Sequence, residues 1–423
     1  MTRTLSVLRE GGPIVVICLA TTVAMMGHGI IGPVLPLFAR EFGMSTASVG
    51  FVVATFGLCR LIMNLPSGLI AERYGTRFLM SAGLMLNALG MFLTGASTSI
   101  LEMASWRFIS GAGSAMFTTG SMSFIAANST PENRGRLMSL QLGSLLIGTD
   151  IGPMIGGVIA DHLGFRSPFY VAGIIAAVVA LGVLIKLRDA PRGTEAKASM
   201  SPEDKKGRQE GRDIRTIRNL LANPTFFILS IFTLLVFFTR SGCRHTLLPL
   251  LAVEKVGMSM TQVGFLFTLM TTINLILAVL AGALTDRFGR KAVILPGAFL
   301  TLAGLTLFAY TSTVPAFFGA AFILGLGSGF IGPAPAAYAG DLAPPGRTGI
   351  TMGLYRTFGD MGLISGPLLL GWIADVIDRQ FAASPGRSVA MVLDGVLLLA
   401  AGLVLSWAGV ETAGKKRLRK KEA

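Results

Sequence analysis

Residues 68–77 read GLIAERYGTR, and residues 282–291 read GALTDRFGRK. The two stretches lie 214 residues apart and keep the same order of glycine, acid, arginine, aromatic residue and glycine. The same offset relates Gly111 to Gly325, Gly152-Pro153 to Gly366-Pro367, Asp161 to Asp375, and Gly50-Phe51 to Gly264-Phe265. An offset that holds along most of the chain indicates that the second half repeats the first.

The composition places this repeat in a membrane. Hydrophobic residues make up 52% of the 423 residues and charged residues only 14%, whereas soluble domains are about 25% charged. These proportions exclude a soluble enzyme, a disordered chain and a fibrous repeat. The three cysteines are odd in number and lie in apolar stretches, which excludes a disulfide framework and a cysteine zinc site.

Twelve apolar runs are long enough to cross a bilayer as helices, which takes about 20 residues each. They lack the alternation of a membrane strand, and we number them spans 1 to 12. The runs are 14–38, 47–70, 78–97, 101–126, 137–160, 167–187, 225–250, 261–284, 292–311, 315–340, 350–374 and 389–410.

The distribution of basic residues predicts the orientation of the spans across the membrane. With the N-terminus inside, 26 of the 36 Lys and Arg residues lie in cytoplasmic segments and 5 in outer loops. This positive-inside bias explains the net charge of +14 without a nucleic acid partner. We expect span 1 to be retained rather than cleaved as a signal peptide, and both termini to be cytoplasmic. The tail sequence KKRLRKK either contacts anionic lipid or simply anchors the topology.

The sequence therefore predicts an all-α integral membrane protein with twelve transmembrane helices in two pseudo-symmetric six-helix bundles. The expected domains are an N-terminal bundle (1–188), a charged cytoplasmic linker (189–222) and a C-terminal bundle with a basic tail (223–423). A short surface helix is expected near 214–221 in the linker. Two such halves in parallel orientation form transporters with a substrate site at mid-depth between them.

The motifs resemble those of the major facilitator superfamily along essentially the whole chain. Residues 68–77 match the signature loop of that family between spans 2 and 3, and 282–291 is its second copy. Arg107-x-x-x-Gly111-x-Gly113 resembles the proton-coupling motif of span 4, with Ser110 at the position before the first glycine. Gly148-x-x-x-Gly152-Pro153-x-x-Gly156-Gly157 resembles the motif of the antiporter branch. The resemblance implies the major facilitator fold and, within it, a drug:proton antiporter.

The signature loops are expected to form a cytoplasmic gate whose charged contacts break when the inner face opens. The alternative is a charged turn that only fixes topology. Gly75 and Gly289 would allow the tight reversal. The gate residues expected are Gly68, Glu72, Arg73, Gly75, Arg77, Gly282, Asp286, Arg287, Gly289 and Arg290.

A row of glycines four residues apart lies on one face of span 5 and would let a helix pack closely against it. The resemblance implies that this face seals against the opposite half; the alternative is packing without a part in transport. The residues concerned are Gly148, Gly152, Pro153, Gly156 and Gly157, with Gly366 and Pro367 in the second half.

Five Arg and three Asp side chains fall within the spans. Because a charge facing lipid costs about 3 kcal/mol, these side chains should pair or line a wet cavity. A rise of about 1.5 Å per residue places Arg60, Asp150 and Asp360 near mid-depth. The expected substrate and proton pathway comprises His28, Arg60, Arg107, Asp150, Arg240, Asn274, Arg356 and Asp360, and Asp394 stays unassigned.

The helix order of the family places Arg60 beside Asp360 and Asp150 opposite Asn274. The first pair either rearranges with proton or substrate binding or is a static ion pair. His28 either titrates or is a hydrogen-bonded packing residue.

We expect a proton-coupled exporter of small organic molecules that works by alternating access in the cell (inner) membrane. The alternatives are an uptake symporter, a lipid or lysolipid translocator and, remotely, a membrane-embedded enzyme or sensor. The chain contains no HExxH, GxSxG or P-loop pattern, so it is not expected to be an enzyme. Expected partners are a small-molecule substrate, protons and membrane lipid, with no nucleic acid, no metal, no cofactor beyond the proton gradient, and a monomeric state.

Overall fold

The computed structural model of the protein describes residues 12–129, 134–187, 215–344, 347–381 and 385–412. Across these ranges the regular structure is helical, without strands. The helices are Gly12–Ile31 and Val34–Arg40 (span 1), Thr46–Tyr74 (span 2), Thr76–Ala96 (span 3), Ile100–Ala127 (span 4), Arg134–Leu163 (span 5), Ser167–Lys186 (span 6), Pro224–Phe238, Thr239–Leu247 and Leu248–Glu254 (span 7), Met260–Phe288 (span 8), Lys291–Tyr310 (span 9), Val314–Ile331 and Ala334–Asp341 (span 10), Thr348–Gln380 (span 11) and Gly386–Ala408 (span 12).

Eleven helices in these ranges are long and apolar enough to cross a bilayer. The remaining span is Ile100–Ala127, which is long enough at 28 residues but is rich in Ser, Thr and Gly. The predicted all-helical membrane fold is therefore confirmed. Side chains such as Trp407 and Ile185 are strongly exposed, as expected of a surface covered by lipid.

Three spans are interrupted, two of them at a Gly-Pro dipeptide that is visible in the sequence. Spans 1 and 10 break at the dipeptides Gly32-Pro33 and Gly332-Pro333, because proline lacks the N–H that continues a helix. Span 7 contains a nine-residue π-helix, Thr239–Leu247. The Thr246 hydroxyl donates to the Ser241 carbonyl oxygen, five residues back, at 2.9 Å.

The chain forms two compact units. The first comprises Met1–Met44, Phe51–Ala198 and Ser259–Phe265, and the second comprises Ser45–Gly50, Ser199–Met258 and Leu266–Ala423. The start of span 2 is thus counted with the second unit, and the start of span 8 with the first. Residue 188, residues 189–214 of the predicted linker and residues 413–423 of the predicted tail lie outside the described part of the chain. The short helix expected near 214–221 is present over 215–222.

The core of each unit repeats the core of the other. In the first unit Ile17, Leu84, Phe117 and Val183, from spans 1, 3, 4 and 6, belong to one fully buried cluster. In the second unit a cluster is formed by spans 7, 9, 10 and 12, and it includes Phe232, Ala298, Ile331 and Leu398. The internal repeat in the sequence is therefore also a repeat of core packing.

Candidate functional site in the membrane spans

Phe56 in span 2 is the centre of a basic cluster in the first unit. The Arg107 guanidinium carbon lies 4.5 Å from the centroid of the Phe56 ring, and that of Arg60 lies 5.9 Å from it. The His28 ring packs edge-on against the same ring, with 5.5 Å between centroids. Three residues that the sequence placed separately in the pathway, on spans 1, 2 and 4, thus meet at one aromatic ring.

The span 4 motif explains how Arg107 reaches this ring. A Cβ atom on Gly111 would lie 2.4 Å from the Phe56 carbonyl oxygen, and one on Gly113 would lie 2.3 Å from the Gly83 carbonyl oxygen. Both glycines are therefore needed for span 4 to approach spans 2 and 3. Arg107 lies one turn before Gly111, so the same close approach sets its guanidinium over Phe56. Ser110 faces span 3, where its hydroxyl contacts Asn87 Oδ1 at 2.5 Å.

Nε of Arg107 and Nε2 of His28 have no hydrogen-bond partner among the described residues. Arg107 is only 7% exposed. Nδ1 of His28 lies 3.2 Å from the Ala24 carbonyl oxygen, which can only accept, so Nδ1 carries the proton. Nε2 of the neutral ring is then an acceptor. The cluster thus offers a ligand both a buried cationic donor and a neutral acceptor beside an aromatic face.

A similar arrangement occurs in the second unit around Phe267 in span 8. The Arg244 guanidinium carbon lies 5.7 Å from the centroid of the Phe267 ring, and the His245 ring lies 5.8 Å from it. Arg244 is 9% exposed, whereas Arg240 on the same π-helix is exposed. The sequence analysis named Arg240 and did not find Phe267.

The remaining pathway residues are spread over three spans. Asp150 in span 5 and Asn274 in span 8 are half-buried, Asp360 in span 11 is buried, and Arg356 is exposed. The two predicted pairs are Arg60–Asp360 and Asp150–Asn274. In each pair one residue belongs to the first unit and the other to the second, and both pairs stay predictions.

Three glycines of span 5, Gly148, Gly152 and Gly156, pack against span 1 in their own half, which corrects the expected partner for these three residues. Cβ atoms on Gly148, Gly152 and Gly156 would lie 2.2, 2.5 and 2.1 Å from the carbonyl oxygens of Thr22, Met26 and Ile30 in span 1. These carbonyls are also four residues apart, so two helices with the same spacing lie in register. Gly366 repeats this contact, because its Cβ would lie 2.4 Å from the Phe238 carbonyl oxygen in span 7.

Pro153 and Gly157 instead contact the first turn of span 8, which lies in the second half of the sequence, as expected for these two residues, and which is counted with the first compact unit. The Pro153 carbonyl oxygen lies 2.5 Å from where a Cβ on Gly264 would be, and the Met260 carbonyl oxygen lies 2.2 Å from a Cβ on Gly157. In the second unit Pro367 and Gly50 make an even closer contact. The Pro367 carbonyl oxygen lies 2.0 Å from where a Cβ on Gly50 would be. This contact is the repeat of the one between Pro153 and Gly264.

The loops that follow spans 2 and 8 turn at Gly75 (φ 93°) and Gly289 (φ 105°), as predicted. Arg77 donates to the Leu184 carbonyl at the end of span 6, and Lys291 donates to the Ser406 carbonyl near the end of span 12 at 2.8 Å. The repeat thus conserves a contact from each loop to the last span of its half.

The other expected gate residues show fewer contacts. Arg73 and Arg287 lie over the neighbouring Tyr74 and Phe288 rings, at 5.3 Å each. A Cβ on Gly68 or Gly282 would meet nothing within 4 Å. The side chains of Glu72 and Asp286 lie outside the described part of the structure.

Two acids that the sequence analysis did not name hold the second loop. Glu411 accepts hydrogen bonds from the backbone N–H groups of Arg290 at 2.9 Å and Lys291 at 3.1 Å. Asp341 forms a 3.0 Å salt bridge with the Arg290 side chain. Glu411 therefore caps the start of span 9, where an anion favourably meets the helix dipole.

The family model of the Major Facilitator Superfamily matches residues 17–246 and 233–423. The chain belongs to this superfamily. A multidrug resistance protein 2 of Bacillus subtilis is 26% identical over 84% of this chain and 86% of the relative. The quinolone resistance protein NorA of Staphylococcus aureus is 24% identical over 87% of the chain and 92% of the relative. An uncharacterized MFS-type transporter of Methanocaldococcus jannaschii is 26% identical over 86% of the chain and 91% of the relative.

Solved structures show the same fold. A bacterial homologue of the human lysosomal transporter Spinster superposes with a TM-score of 0.78 at 18% identity, covering 94% of this chain and 96% of the other. A D-xylose-proton symporter superposes with a TM-score of 0.73 at 17% identity, over 95% and 99% of the two chains. This member of the major facilitator superfamily is therefore a multi-pass membrane transporter of small molecules and not an enzyme, and it resembles the drug:proton antiporter branch.

Within this superfamily member, sequence reasoning identified the basic residues but missed the aromatic rings that gather them. Phe56 lies one helical turn before Arg60, a spacing that places the two side chains on one face, so that signal was available. No comparable signal pointed to Phe267, which is brought to Arg244 by the packing of spans 7 and 8.

Proposed function

We propose that this transporter is a proton-coupled antiporter that exports small organic molecules by alternating access. The observation that carries the proposal is the cluster of Arg107, Arg60 and His28 around Phe56, which presents unpartnered polar atoms of Arg107 and His28 beside an apolar ring. A pair of relatives whose names include multidrug or quinolone resistance supports export. The proton gradient supplies the energy, and no bound cofactor is needed.

The chemistry of the two aromatic clusters favours a particular class of substrate. Each cluster combines an aromatic face with at least one buried arginine and a histidine, which suits an amphiphile that carries hydrogen-bond acceptors. A guanidinium held in a low-dielectric setting attracts anions and repels cations. We therefore propose neutral, zwitterionic or anionic amphiphiles as substrates, rather than lipophilic cations.

Protons require groups that can change charge within the spans. Asp150 and Asp360 are the proposed carriers, because both are carboxyls placed by the sequence near mid-depth, where arginine can stabilise the charged form and burial the neutral form. We further propose that the protein works as a monomer in the cell (inner) membrane, with both termini cytoplasmic.

The test uses inverted membrane vesicles whose lumen is acidified and reported by a fluorescent pH probe. A panel of cationic, neutral and anionic amphiphiles is added to the medium. Antiport predicts that one charge class releases protons from the lumen, and that Asp150→Asn or Asp360→Asn reduces the release. His162→Gln, a change at an exposed residue outside both clusters, is the matched control and should behave as wild type.

Two results would contradict the proposed antiporter, and a third would contradict only its proposed substrate class. Proton entry into the lumen together with an added compound would indicate a symporter. No response to any amphiphile, combined with movement of a fluorescent lysolipid between leaflets, would favour the lipid translocator. Release triggered only by cations would retain the antiporter but overturn the proposed substrate class.

A further inference from the structure

Asp394 in span 12 is a carboxyl that the mechanism above does not use. Its side chain is fully buried, with 0% exposure. It lies eight residues into the helix Gly386–Ala408, which corresponds to about 12 Å along the axis. A carboxylate at such a position is costly unless its oxygens are hydrogen-bonded. Its polar neighbours therefore decide which protonation states the site can hold.

Two side chains of the π-helix in span 7 contact this carboxyl. The Thr239 hydroxyl oxygen lies 3.1 Å from Oδ1 of Asp394, and the Cys243 sulfur lies 3.1 Å from Oδ2. The Thr239 hydroxyl oxygen also lies 2.9 Å from the Leu235 carbonyl oxygen. A hydroxyl has one hydrogen, and a carbonyl oxygen can only accept. The Thr239 hydrogen can therefore bond fully to only one of its two neighbours.

This geometry satisfies both protonation states of Asp394. In the acid form, the Oδ1 proton is donated to Thr239, and the Thr239 hydrogen is donated to Leu235. In the carboxylate form, the Thr239 hydroxyl rotates and donates to Oδ1. The Cys243 thiol donates to Oδ2 in both forms. Binding a proton forms one O–H bond at Oδ1 and needs only the rotation of one hydroxyl.

We propose that Asp394, with Thr239 and Cys243, is a reversible proton-binding site that is loaded and unloaded during transport. The inference rests on the proposed proton coupling and adds to it a site in the second unit, apart from Asp150 and Asp360. A carboxyl whose oxygens are hydrogen-bonded in both protonation states can bind and release a proton without repacking of the side chains around it.

Four elements pack against span 12, namely span 9, span 11, the first helix of span 7 and the π-helix of span 7. Span 9 and the first helix of span 7 have no ionisable groups within their lengths, apart from Lys291 and Tyr310 at the ends of span 9. Span 11 contains Tyr355, Arg356 and Asp360 in its first half and Asp375, Asp378 and Arg379 near its end. The π-helix contributes Cys243, Arg240, Arg244 and His245. On span 12 itself, Arg387 lies near the helix start, where it bonds Glu254 at 2.6 Å.

The π-helix connects the proton site to a candidate substrate site. Thr239 and Cys243 bind Asp394, and Arg244, the residue after Cys243, lies over Phe267. A π-helix is an uncommon conformation that is frequent at functional sites. A change of one charge at Asp394 would alter the electrostatic balance of a segment that carries two arginines. Protonation and substrate binding would in this way influence each other through span 7.

The test is infrared difference spectroscopy of the purified transporter in lipid, combined with the vesicle proton assay. We expect a carboxylic acid C=O band in the wild type that is lost at alkaline pH, changes when a transported amphiphile is added, and is absent in Asp394→Asn. Asp394→Asn should also lose proton release in vesicles. Asp378→Asn, a structural acid near the start of span 12 that accepts from the Gly386 N–H at 2.7 Å, should keep both signals.

Variants of Thr239 keep the test valid if Asp394→Asn fails to fold. Thr239→Val removes the hydroxyl at nearly constant volume and should change the pH dependence of the band, whereas Thr239→Ser should preserve it. A band that ignores pH and substrate would overturn the inference and leave Asp394 a static acid. Proton release in folded Asp394→Asn equal to wild type would overturn it while leaving the antiporter intact. A titrating band without any proton release by the wild type would support the proton site and overturn the coupling.

Discussion

Asp161 and Asp375, which are 214 residues apart, have the same structural role: each caps the first turn of a membrane helix. Asp161 accepts from the backbone N–H groups of Met260 at 2.8 Å and Thr261 at 2.7 Å. Asp375 accepts from those of Thr46 at 2.9 Å and Ala47 at 2.8 Å. Both oxygens of each carboxylate bond N–H groups that the helix itself leaves unsatisfied, and the negative charge meets the positive end of the helix dipole.

Removing either cap should destabilise the transporter. A lost N-cap costs about 1 kcal/mol, so Asp161→Ala and Asp375→Ala should each lower the melting temperature of the purified protein. Asp161→Asn keeps one acceptor oxygen and should cost less. His162→Ala, next to the cap and exposed, is the control and should melt as wild type. Equal melting of Asp375→Ala and wild type would mean that the cap does not contribute.

Gly111→Ala should separate span 4 from span 2. The new Cβ would lie 2.4 Å from the Phe56 carbonyl oxygen, and such overpacking costs about 1 to 3 kcal/mol. The change should lower both the melting temperature and transport, because Arg107 moves away from the Phe56 ring. Gly143→Ala is the matched control, since a Cβ there meets nothing within 4 Å. A functional, stable Gly111→Ala protein would contradict this account of the motif.

Arg107→Ala should weaken substrate binding more than it weakens the fold. A hydrogen bond from a charged group contributes about 1.5 to 3 kcal/mol, so we expect a loss of affinity of about tenfold or more. The loss can be measured as the shift in ligand concentration that stabilises the protein against heat. Arg166→Ala removes a similar cation–π contact, at 5.4 Å from the Phe38 ring, outside the cluster. If both variants lost affinity equally, Arg107 would not be a binding residue.

Glu411→Ala should loosen the loop between spans 8 and 9. The two backbone N–H groups at Arg290 and Lys291 would lose their acceptor, at a cost of about 1 kcal/mol. Limited proteolysis in this loop should then become faster. Glu411→Gln retains an acceptor oxygen and should restore most of the protection. Unchanged cleavage in Glu411→Ala would show that Asp341 alone holds the loop.

The sequence identified many residues of the candidate site, but it did not predict how they come together. Arg60, Arg107 and His28 could be singled out because charged and titratable groups inside apolar runs are rare and costly. Their convergence on Phe56 depends on the packing of spans 1, 2 and 4, which no local pattern encodes. The glycine row shows the same limit: its spacing predicted close packing correctly, but Gly148, Gly152 and Gly156 pack against span 1 and only Gly157 packs against span 8.

The sequence alone determined that this chain crosses a membrane repeatedly and consists of two related halves. Hydropathy over about 20 residues is a local signal, and a constant offset between motifs is a periodic one. Both can be read from the sequence without knowing how the helices pack. Only the tertiary structure decided that Asp161 and Asp375 cap helices distant in the chain, and that Asp394 meets Thr239 and Cys243. Those contacts join residues 99 to 329 positions apart, and their partners are chosen by which helix faces pack together.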